Sequence, residues 1–371
     1  MSDTEIKNIL FVQESPACIR TIKLATGLKT LGVNVHLVHK GTTPNETYGF
    51  GNESFASLNL LPKRKSEEIN FIKSLIPKYQ IQLIHFHNYP DKLGAKIIKA
   101  NIELPFVYDQ HDFMSQKMKY LPFLKYYEKI CNEKNDGAIY ITENYRTLVS
   151  QKYKTNNNNI VFGNYGLTKL VTETNCKYEE NLSVKKSIDV VYIGFITEHK
   201  GIVRYMLDIF KEMSKNGITI HIYPTRNKEY KKYKAIPNVV LHKQLPLQEL
   251  IKEICKYDFG ITLLNHFDVV KRRAAEVKYG FWNKINDYLI AGVPVLTMDY
   301  YDDMSKFVKE NNFGISLKNI EDITFEKLKN VDVKKIRKSI LENREKHFME
   351  NQVNRVYKFY QRTIDLYKRK K

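Results

Sequence analysis

The chain has 371 residues, of which 43% are hydrophobic and 12% aromatic. This length exceeds what one ordinary core needs and favours two domains, and the apolar content excludes a disordered chain. The formal net charge of +19 raises the affinity for any polyanion, whether nucleic acid, anionic lipid or a phosphorylated substrate. No zinc-finger, RNP or basic-zipper pattern accompanies this charge, so we expect no specific nucleic acid partner.

The N-terminal stretch MSDTEIKNILFV passes from polar residues directly into an apolar run without a cleavage-site pattern. No run approaches the roughly 18 apolar residues of a membrane-spanning helix. We therefore expect a cytoplasmic protein, with peripheral attachment at the inner face of the cell membrane left open. The cysteines form no C-x-x-C pair and lie near no histidine cluster, so we expect no metal site.

Apolar strands alternate with amphipathic helices through the first half of the chain, beginning with a buried strand at NILFVQ. Ser15 and Pro16 predict the N-cap and the first residue of a helix that ends at Gly32. The next predicted elements, in chain order, are the strand VNVHLVHKG, the helix INFIKSLIPKY, the strand IQLIHFHN, the helix LGAKIIKANI, the strand PFVYDQHD, the helix YYEKICNEK and the strand DGAIYIT.

The stretch KTNNNNIVFGNYGL (154–167) and the polar residues after it interrupt this rhythm. The alternation then resumes with the strand IDVVYIGF, a helix at about 201–215, the strands ITIHIYP and NVVLHK, the helix LQELIKEICKY, the strand FGITLL, a helix from 283, the strand VPVLTMD and the helical segment MSKFVKENNFGI. Such alternation is typical of parallel, doubly wound α/β sheets.

We therefore predict two Rossmann-like domains, at 1–170 and 187–345, joined by a linker at 171–186. A basic C-terminal helix at 346–371 is expected to pack back towards the first domain. Ligands of such sheets bind at the carboxyl ends of the strands, so a cleft between two such domains is the expected site.

Two segments of the second domain carry residues suited to a nucleotide. In VVYIGFITEHKGIVRYM a strand ends at Gly194, and Lys200 stands beside the start of a helix, where charge and amide donors converge on a diphosphate. The alternative is an ordinary solvent-exposed lysine. In FWNKINDYLIAGVPVL, Asn283 is predicted to cap a helix that ends at Gly292, and Asp287 is placed to reach ribose hydroxyls. Alternatively, Asp287 is only a favourable charge near a helix N-terminus.

The segments GFxxxxKG (194–201) and NKxxDYLIAGVPVL (283–296) resemble two signatures of GT-B glycosyltransferases of family 4 (group 1 type). QLIHFHN, VYDQHDF, GNYG and MSKFVKENNFGI fit the same family in the same order, so the resemblance covers nearly the whole chain. It implies two Rossmann-like domains that face a central cleft, and transfer of a sugar from a nucleotide-sugar donor, expected to be a UDP- or GDP-sugar, to an acceptor.

The resemblance also implies roles for individual residues. It makes His111, Lys200 and Asp287 the expected catalytic residues. Two further groups follow from it: the nucleotide-sugar-binding residues Gly194, Lys200, Asn283, Lys284, Asp287, Arg272 and Arg273, and the acceptor-side residues Glu14, Arg20, His111 and Asp112. It implies no cofactor and no metal, since the donor itself is a substrate, and it implies retention of the anomeric configuration.

The sequence departs from the family pattern at two positions. Tyr279 stands where the first glutamate of a Glu-seven-residues-Glu motif is usual, and Phe195 stands where many members have an arginine that binds the diphosphate. Arg272 or Arg273 could compensate for Phe195. These departures leave open a catalytically degenerate partner subunit of an active glycosyltransferase, and the shared architecture leaves open a nucleotide-sugar epimerase.

The expected acceptor is a polysaccharide, glycolipid or glycoconjugate of the cell envelope. The segment MKYLPFLKYYEKI (118–130) mixes lysines with aromatic residues, which suits an anionic membrane surface and a lipid-linked acceptor. A helix that faces the core with a lysine-rich outer side explains the same pattern.

Overall fold

The computed structural model describes residues 4–117, 122–171, 182, 185–266, 275 and 277–371. The chain divides into two compact units, Met1–Tyr165 with Met349–Lys371, and Gly166–Phe348. Most of the predicted linker at 171–186 lies outside the described residues.

The described part of the first unit contains one parallel sheet of seven strands in the order β3-β2-β1-β4-β5-β6-β7. Its strands are β1 (Asn8–Val12), β2 (Asn34–His39), β3 (Ser57–Leu60), β4 (Leu83–His87), β5 (Phe106–Gln110), β6 (Gly137–Tyr140) and β7 (Asn159–Val161).

The described part of the second unit contains a parallel sheet of six strands in the order β10-β9-β8-β11-β12-β13. Its strands are β8 (Ile188–Gly194), β9 (Ile218–Pro224), β10 (Val239–Leu241), β11 (Phe259–Ile261), β12 (Val295–Met298) and β13 (Gly314–Leu317).

Fifteen α-helices occur within the described ranges of the chain. They are α1 (Ile19–Thr30), α2 (Pro44–Tyr48), α3 (Glu68–Tyr79), α4 (Lys92–Lys99), α5 (Met114–Lys117), α6 (Pro122–Lys134), α7 (Glu143–Lys152), α8 (Leu207–Lys215), α9 (Lys231–Lys234), α10 (Leu247–Ile254), α11 (Lys284–Ile290), α12 (Asp302–Glu310), α13 (Phe325–Leu328), α14 (Val333–Asn343) and α15 (Met349–Lys370). None of these helices combines the length and the hydropathy that crossing a membrane requires.

The central strands of both sheets are buried along their length, because parallel sheets in α/β proteins carry helices on both faces. All five residues of β4 and all five of β5 are buried. This explains why these strands are nearly continuous apolar runs, and it confirms the predicted two-sheet α/β fold. The few polar residues inside the strands, such as His85, His87 and Asp109, are therefore the ones that need an explanation.

The C-terminal helix α15 belongs to the first unit and packs on α1. A Cβ atom added at Gly27 would lie 2.7 Å from the Met349 side chain and 3.1 Å from Val353. The absence of a side chain at Gly27 is thus what lets the two helices approach. The helix ends in Lys368, Arg369 and Lys370.

Some predicted boundaries are wrong. Helix α1 begins at Ile19 and not at Ser15-Pro16, because the Cys18 amide donates to the Gln13 side chain at 3.1 Å and holds the preceding residues as a loop. The helix expected from about 201 begins at Leu207. The edge strand β7 lies within the polar stretch 154–167 and was not predicted. The strands β3 and β13 were not predicted either.

Candidate donor site

The carboxyl ends of β8 and β9 lie at the same edge of the second sheet, where Gly194 pairs with Pro224. Gly194 has a φ of +121°, in the region that only glycine adopts readily. The chain can therefore turn sharply out of β8 at this point. Ligands of parallel sheets bind at this edge, so the loops that leave it are the expected location of a donor site.

Helix α11 is fixed to this sheet by Tyr288. The Tyr288 hydroxyl lies 3.1 Å from each of the carbonyl oxygens of Val191 and Ile261, between which it shares its one hydrogen, and it accepts from the Ile193 amide at 3.3 Å. A Cβ atom at Gly260 would lie 2.4 Å from the Tyr288 ring, so glycine is required there for the helix to pack this closely. These hydrogen bonds attach α11 to β8 and β11.

Lys284, in the first turn of α11, is a buried cation. Its residue is only 7% exposed, and its Nζ lies 3.9 Å from the centroid of the Tyr192 ring. Within the described residues, Nζ has no hydrogen-bond partner. Burial, and secondarily the nearby charge of Arg204, hold the pKa of Lys284 well below its ordinary value. Since burying an unpaired ammonium is costly, the site favours an incoming anion.

Two asparagines beside Lys284 are also incompletely satisfied. Asn286 Nδ2 and Asn283 Oδ1 are buried and make no hydrogen bond to any described group. The prediction that Asn283 caps the helix is wrong. Asn283 has helical dihedral angles (φ −55°, ψ −33°) and makes no capping hydrogen bond, whereas a capping side chain requires an extended backbone at that residue.

Asp287 is half-buried. Because it follows Lys284 by three residues, about one helical turn, both side chains project from the same face of α11. Lys200 instead lies on the exposed turn after β8. No hydrogen bond or ion pair to another described residue holds Lys200 in place. Arg272 and Arg273, the predicted substitutes for an arginine at Phe195, lie outside the described residues.

The structure adds Arg204 to the site, a residue that the sequence did not single out. Its charge acts on Lys284, and its carbonyl accepts a hydrogen bond from the Thr197 amide at 3.2 Å. Arg204 stands only four residues after Lys200. A search of that loop for every basic residue, and not only for the family lysine, would have found it.

Polar groups of the first unit

Arg20, one of the predicted acceptor-side residues, is buried, and its donors are all engaged by described groups. Its Nε and Nη2 donate to the two carboxylate oxygens of Asp109, at 2.8 and 3.0 Å. Its remaining donors reach the carbonyls of Phe162 and Gly163 and the Asn164 side chain, at 2.9, 2.7 and 3.2 Å. Arg20 therefore ties β5 to the chain after β7 and has no donor left for an acceptor.

His85, His87 and Asp109 offer potential ligand atoms that all lie within 4.8 Å of one another. However, both oxygens of Asp109 already accept from Arg20. Burial would raise the pKa of Asp109, but the charge of Arg20 and the two histidines hold it well below its ordinary value. We interpret this cluster as a buried charge network, since a metal ion would face the guanidinium directly.

His111 follows β5 and is coupled to Cys18, the N-cap residue of α1. Burial alone would raise the pKa of the Cys18 thiol, but hydrogen bonding to His111 and its charge bring it to about 7. Burial would lower the pKa of His111, but the same pairing raises it. The charge of His111 therefore depends on the ionisation of Cys18.

Asn88 holds the His111 loop in place. Its Oδ1 accepts from the amides of His111 and Asp112, at 3.1 Å each, and its Nδ2 donates to the Asp112 carbonyl at 2.5 Å. Glu14, the remaining predicted acceptor-side residue, accepts from the Leu93 amide at 3.0 Å. Glu14 Oε2 therefore accepts a hydrogen bond from a backbone amide in the first turn of α4.

Comparison with known proteins

Residues 205–352 match the family described as glucosyltransferase 3-like, C-terminal domain. The match covers most of the second unit, including Lys284 and Asp287, and less than half of the chain. No curated protein matches by sequence.

Several solved structures share the fold of the whole chain. A glycosyltransferase from Rickettsia africae has a TM-score of 0.68 at 14% identity, covering 97% of this chain and 99% of its own. HepE of Anabaena in complex with UDP-glucose has a TM-score of 0.68 at 12% identity, covering 95% and 99%. Sucrose-phosphate synthase of Thermosynechococcus elongatus has a TM-score of 0.64 at 13% identity, covering 95% and 98%.

These similarities confirm the GT-B fold that the sequence predicts. Together with the family match over the second unit, they define the class of protein: the chain is a glycosyltransferase of GT-B architecture. Membership of family 4 is compatible with them and stays a prediction.

Proposed function

We propose that this glycosyltransferase moves a sugar from a UDP- or GDP-sugar to a saccharide or lipid-linked acceptor of the cell envelope, with retention of anomeric configuration. The observation that carries the donor half of this proposal is Lys284. It is a buried ammonium without a hydrogen-bond partner among the described residues, at the carboxyl edge of the second sheet. A donor diphosphate supplies the counterion that this position lacks.

Departure of a nucleoside diphosphate builds negative charge on its β-phosphate oxygens. Lys284 and Arg204 would stabilise that charge in the transition state, and the low polarity around Lys284 strengthens the interaction. Lys200, on an exposed turn, would act at longer range and be more strongly screened. Asp287, on the same face of α11 as Lys284, would accept hydrogen bonds from the ribose hydroxyls.

His111 and Asp112 are proposed to orient the acceptor hydroxyl. Because Asn88 fixes both of their backbone amides, this loop has a defined geometry. The raised pKa of His111 favours its charged form, which suits a hydrogen-bond donor near the transferred sugar or the leaving group better than a base.

The described part of the 118–130 segment supports an anionic membrane surface as a partner. On α6, Phe123 is 49% exposed and Tyr126 is 50% exposed, while Leu124 and Glu128 are buried. Exposed rings beside exposed lysines suit the headgroup region of a bilayer. In co-sedimentation with vesicles that contain phosphatidylglycerol, Phe123→Ser should reduce binding. The control Leu60→Ser, at an apolar residue that is 60% exposed elsewhere, should leave binding unchanged, and equal effects would contradict this surface.

The donor proposal is tested with purified protein and a set of UDP- and GDP-sugars, beginning with UDP-glucose because the structurally similar HepE is known in complex with it. We expect thermal stabilisation by the matching donor and slow release of the nucleoside diphosphate. Conversion of the donor into an epimer without acceptor would indicate the epimerase instead. Binding without any turnover, even with acceptors, would indicate a partner subunit.

A further inference from the structure

Phe195 and Arg226 form a cation–π pair at the carboxyl edge of the second sheet. Gly194 and Pro224 are paired in the register of β8 and β9, so the segments that follow them leave the sheet side by side. The guanidinium carbon of Arg226 lies 5.5 Å from the centroid of the Phe195 ring. This separation is within the range of a cation–π interaction.

The same aromatic scaffold carries this pair and the buried lysine. The Tyr192 hydroxyl donates to the Phe195 carbonyl at 3.1 Å, and the Tyr192 ring is the one that lies against Lys284 Nζ. Tyr192 therefore fixes the backbone of Phe195 and, on its ring face, the ammonium of Lys284. Two cations thus stand at one edge of the sheet, each against an aromatic ring.

Arg226 retains its hydrogen-bonding capacity in this arrangement. The guanidinium has five N–H donors along its edge, and the contact with the Phe195 ring supplies none of them with an oxygen acceptor. In the described part of the chain, the Arg226 guanidinium makes no hydrogen bond and no ion pair. Phe195 is 37% exposed, so the pair lies at the surface, where a ligand can reach it.

We propose that Arg226, positioned by the Phe195 ring, binds the donor diphosphate together with Lys284. The planar donor edge of an arginine matches phosphate oxygens in a bidentate way, and contact with the Phe195 ring removes part of the side-chain freedom that binding would otherwise cost. Phe195 is therefore a positioning residue, and Arg226 is a ligand-binding residue. This inference rests on the proposed function.

The test compares the affinity for UDP and for GDP, by isothermal titration calorimetry, in Arg226→Gln and in a matched variant. Lys228→Gln removes the same charge two residues further along the same exposed loop, so it has an equal effect on long-range electrostatics. We expect Arg226→Gln to weaken nucleoside diphosphate binding roughly tenfold or more. Lys228→Gln should weaken it less than about twofold, and neither change should alter uridine or guanosine binding.

A second variant tests the role of the ring. Phe195→Leu keeps an apolar side chain but removes the aromatic ring, and it should weaken binding several-fold. The double variant should bind no more weakly than Arg226→Gln alone, because the ring acts only through the arginine. Additive losses would overturn the positioning role of Phe195.

Equal affinities of Arg226→Gln and Lys228→Gln would overturn the contact, provided that the wild-type protein binds UDP or GDP. If the wild-type protein binds neither nucleotide, the proposed function itself fails, and this inference fails with it.

Discussion

Two buried cations, Arg20 in the first unit and Lys284 in the second, differ in their hydrogen-bond partners. Arg20 in the first unit is 2% exposed and donates to a carboxylate, two carbonyls and an amide oxygen. Lys284 in the second unit is 7% exposed; its Nζ lies against the Tyr192 ring and makes no hydrogen bond to any other described residue. A paired buried cation holds a fold together, whereas an unpaired one is poised for a ligand.

This difference separates structural from functional residues better than residue type does. Both residues are basic, and both were predicted to lie in the site. Only the inventory of hydrogen-bond partners distinguishes them, because a buried polar group without a partner carries a cost that binding can relieve.

The largest expected effect is on stability at Arg20. Arg20→Met leaves Asp109 buried without its partner and should lower the free energy of unfolding by about 3–5 kcal/mol. Lys284→Met removes a buried amine that has no hydrogen-bond partner among the described residues, and it should leave the free energy of unfolding unchanged or higher. Guanidinium-induced unfolding followed by circular dichroism compares the two variants directly. Similar losses of unfolding free energy in both variants would contradict the conclusion that Arg20 stabilises the fold and Lys284 does not.

The next largest effect is on donor binding. Lys284→Met should weaken UDP or GDP binding by about 1.5–3 kcal/mol, as expected for a lost charged hydrogen bond. Calorimetric titration of the folded variant measures this change. Lys284→Arg is a control that keeps the positive charge but replaces the ammonium with a larger, planar guanidinium, and it should retain part of the affinity.

Donor binding should also depend on pH through Lys284. Burial and the charge of Arg204 lower the pKa of Lys284 in the empty site, and a bound diphosphate raises it again. Between these two pKa values binding takes up a proton, so affinity falls as pH rises through that window. Calorimetry in two buffers of different ionisation enthalpy, above about pH 7.5 where the phosphate (pKa about 6) is already ionised, measures the proton directly. Lys284→Met should show no uptake above that pH.

The smallest effect is expected at Lys200. Because its side chain is exposed, Lys200→Ala should weaken nucleoside diphosphate binding by no more than about 1 kcal/mol. The same titrations provide the comparison with Lys284→Met. A larger loss at Lys200 than at Lys284 would show that the exposed turn, and not the buried ammonium, holds the diphosphate.

The fold could be predicted from the sequence because apolar runs indicate which strands are buried, and because a glycine after an amphipathic stretch indicates where the helix ends. Strands β8, β9 and β12 and the end of α11 at Gly292 follow from this local pattern. Three of the four edge strands, β3, β7 and β13, were missed, whereas β10 was predicted from NVVLHK. None of the four is buried along its whole length, so the apolar signal of edge strands is weak.

The site was less predictable, because its properties depend on contacts between distant residues. Lys284 is buried because Tyr288 fixes α11 against β8, and Arg20 is paired because Asp109 lies opposite it. Asn283 was expected to cap its helix, yet capping depends on backbone angles that residue type does not set. The pairing of Phe195 with Arg226 depends on the register between two strands.

The most direct test of this account is the affinity of the Lys284→Met variant for UDP and GDP, measured beside its free energy of unfolding. The account predicts a protein at least as stable as the wild type that has lost most of its affinity for the diphosphate. A Lys284→Met protein that binds the nucleotide as tightly as the wild type would contradict it.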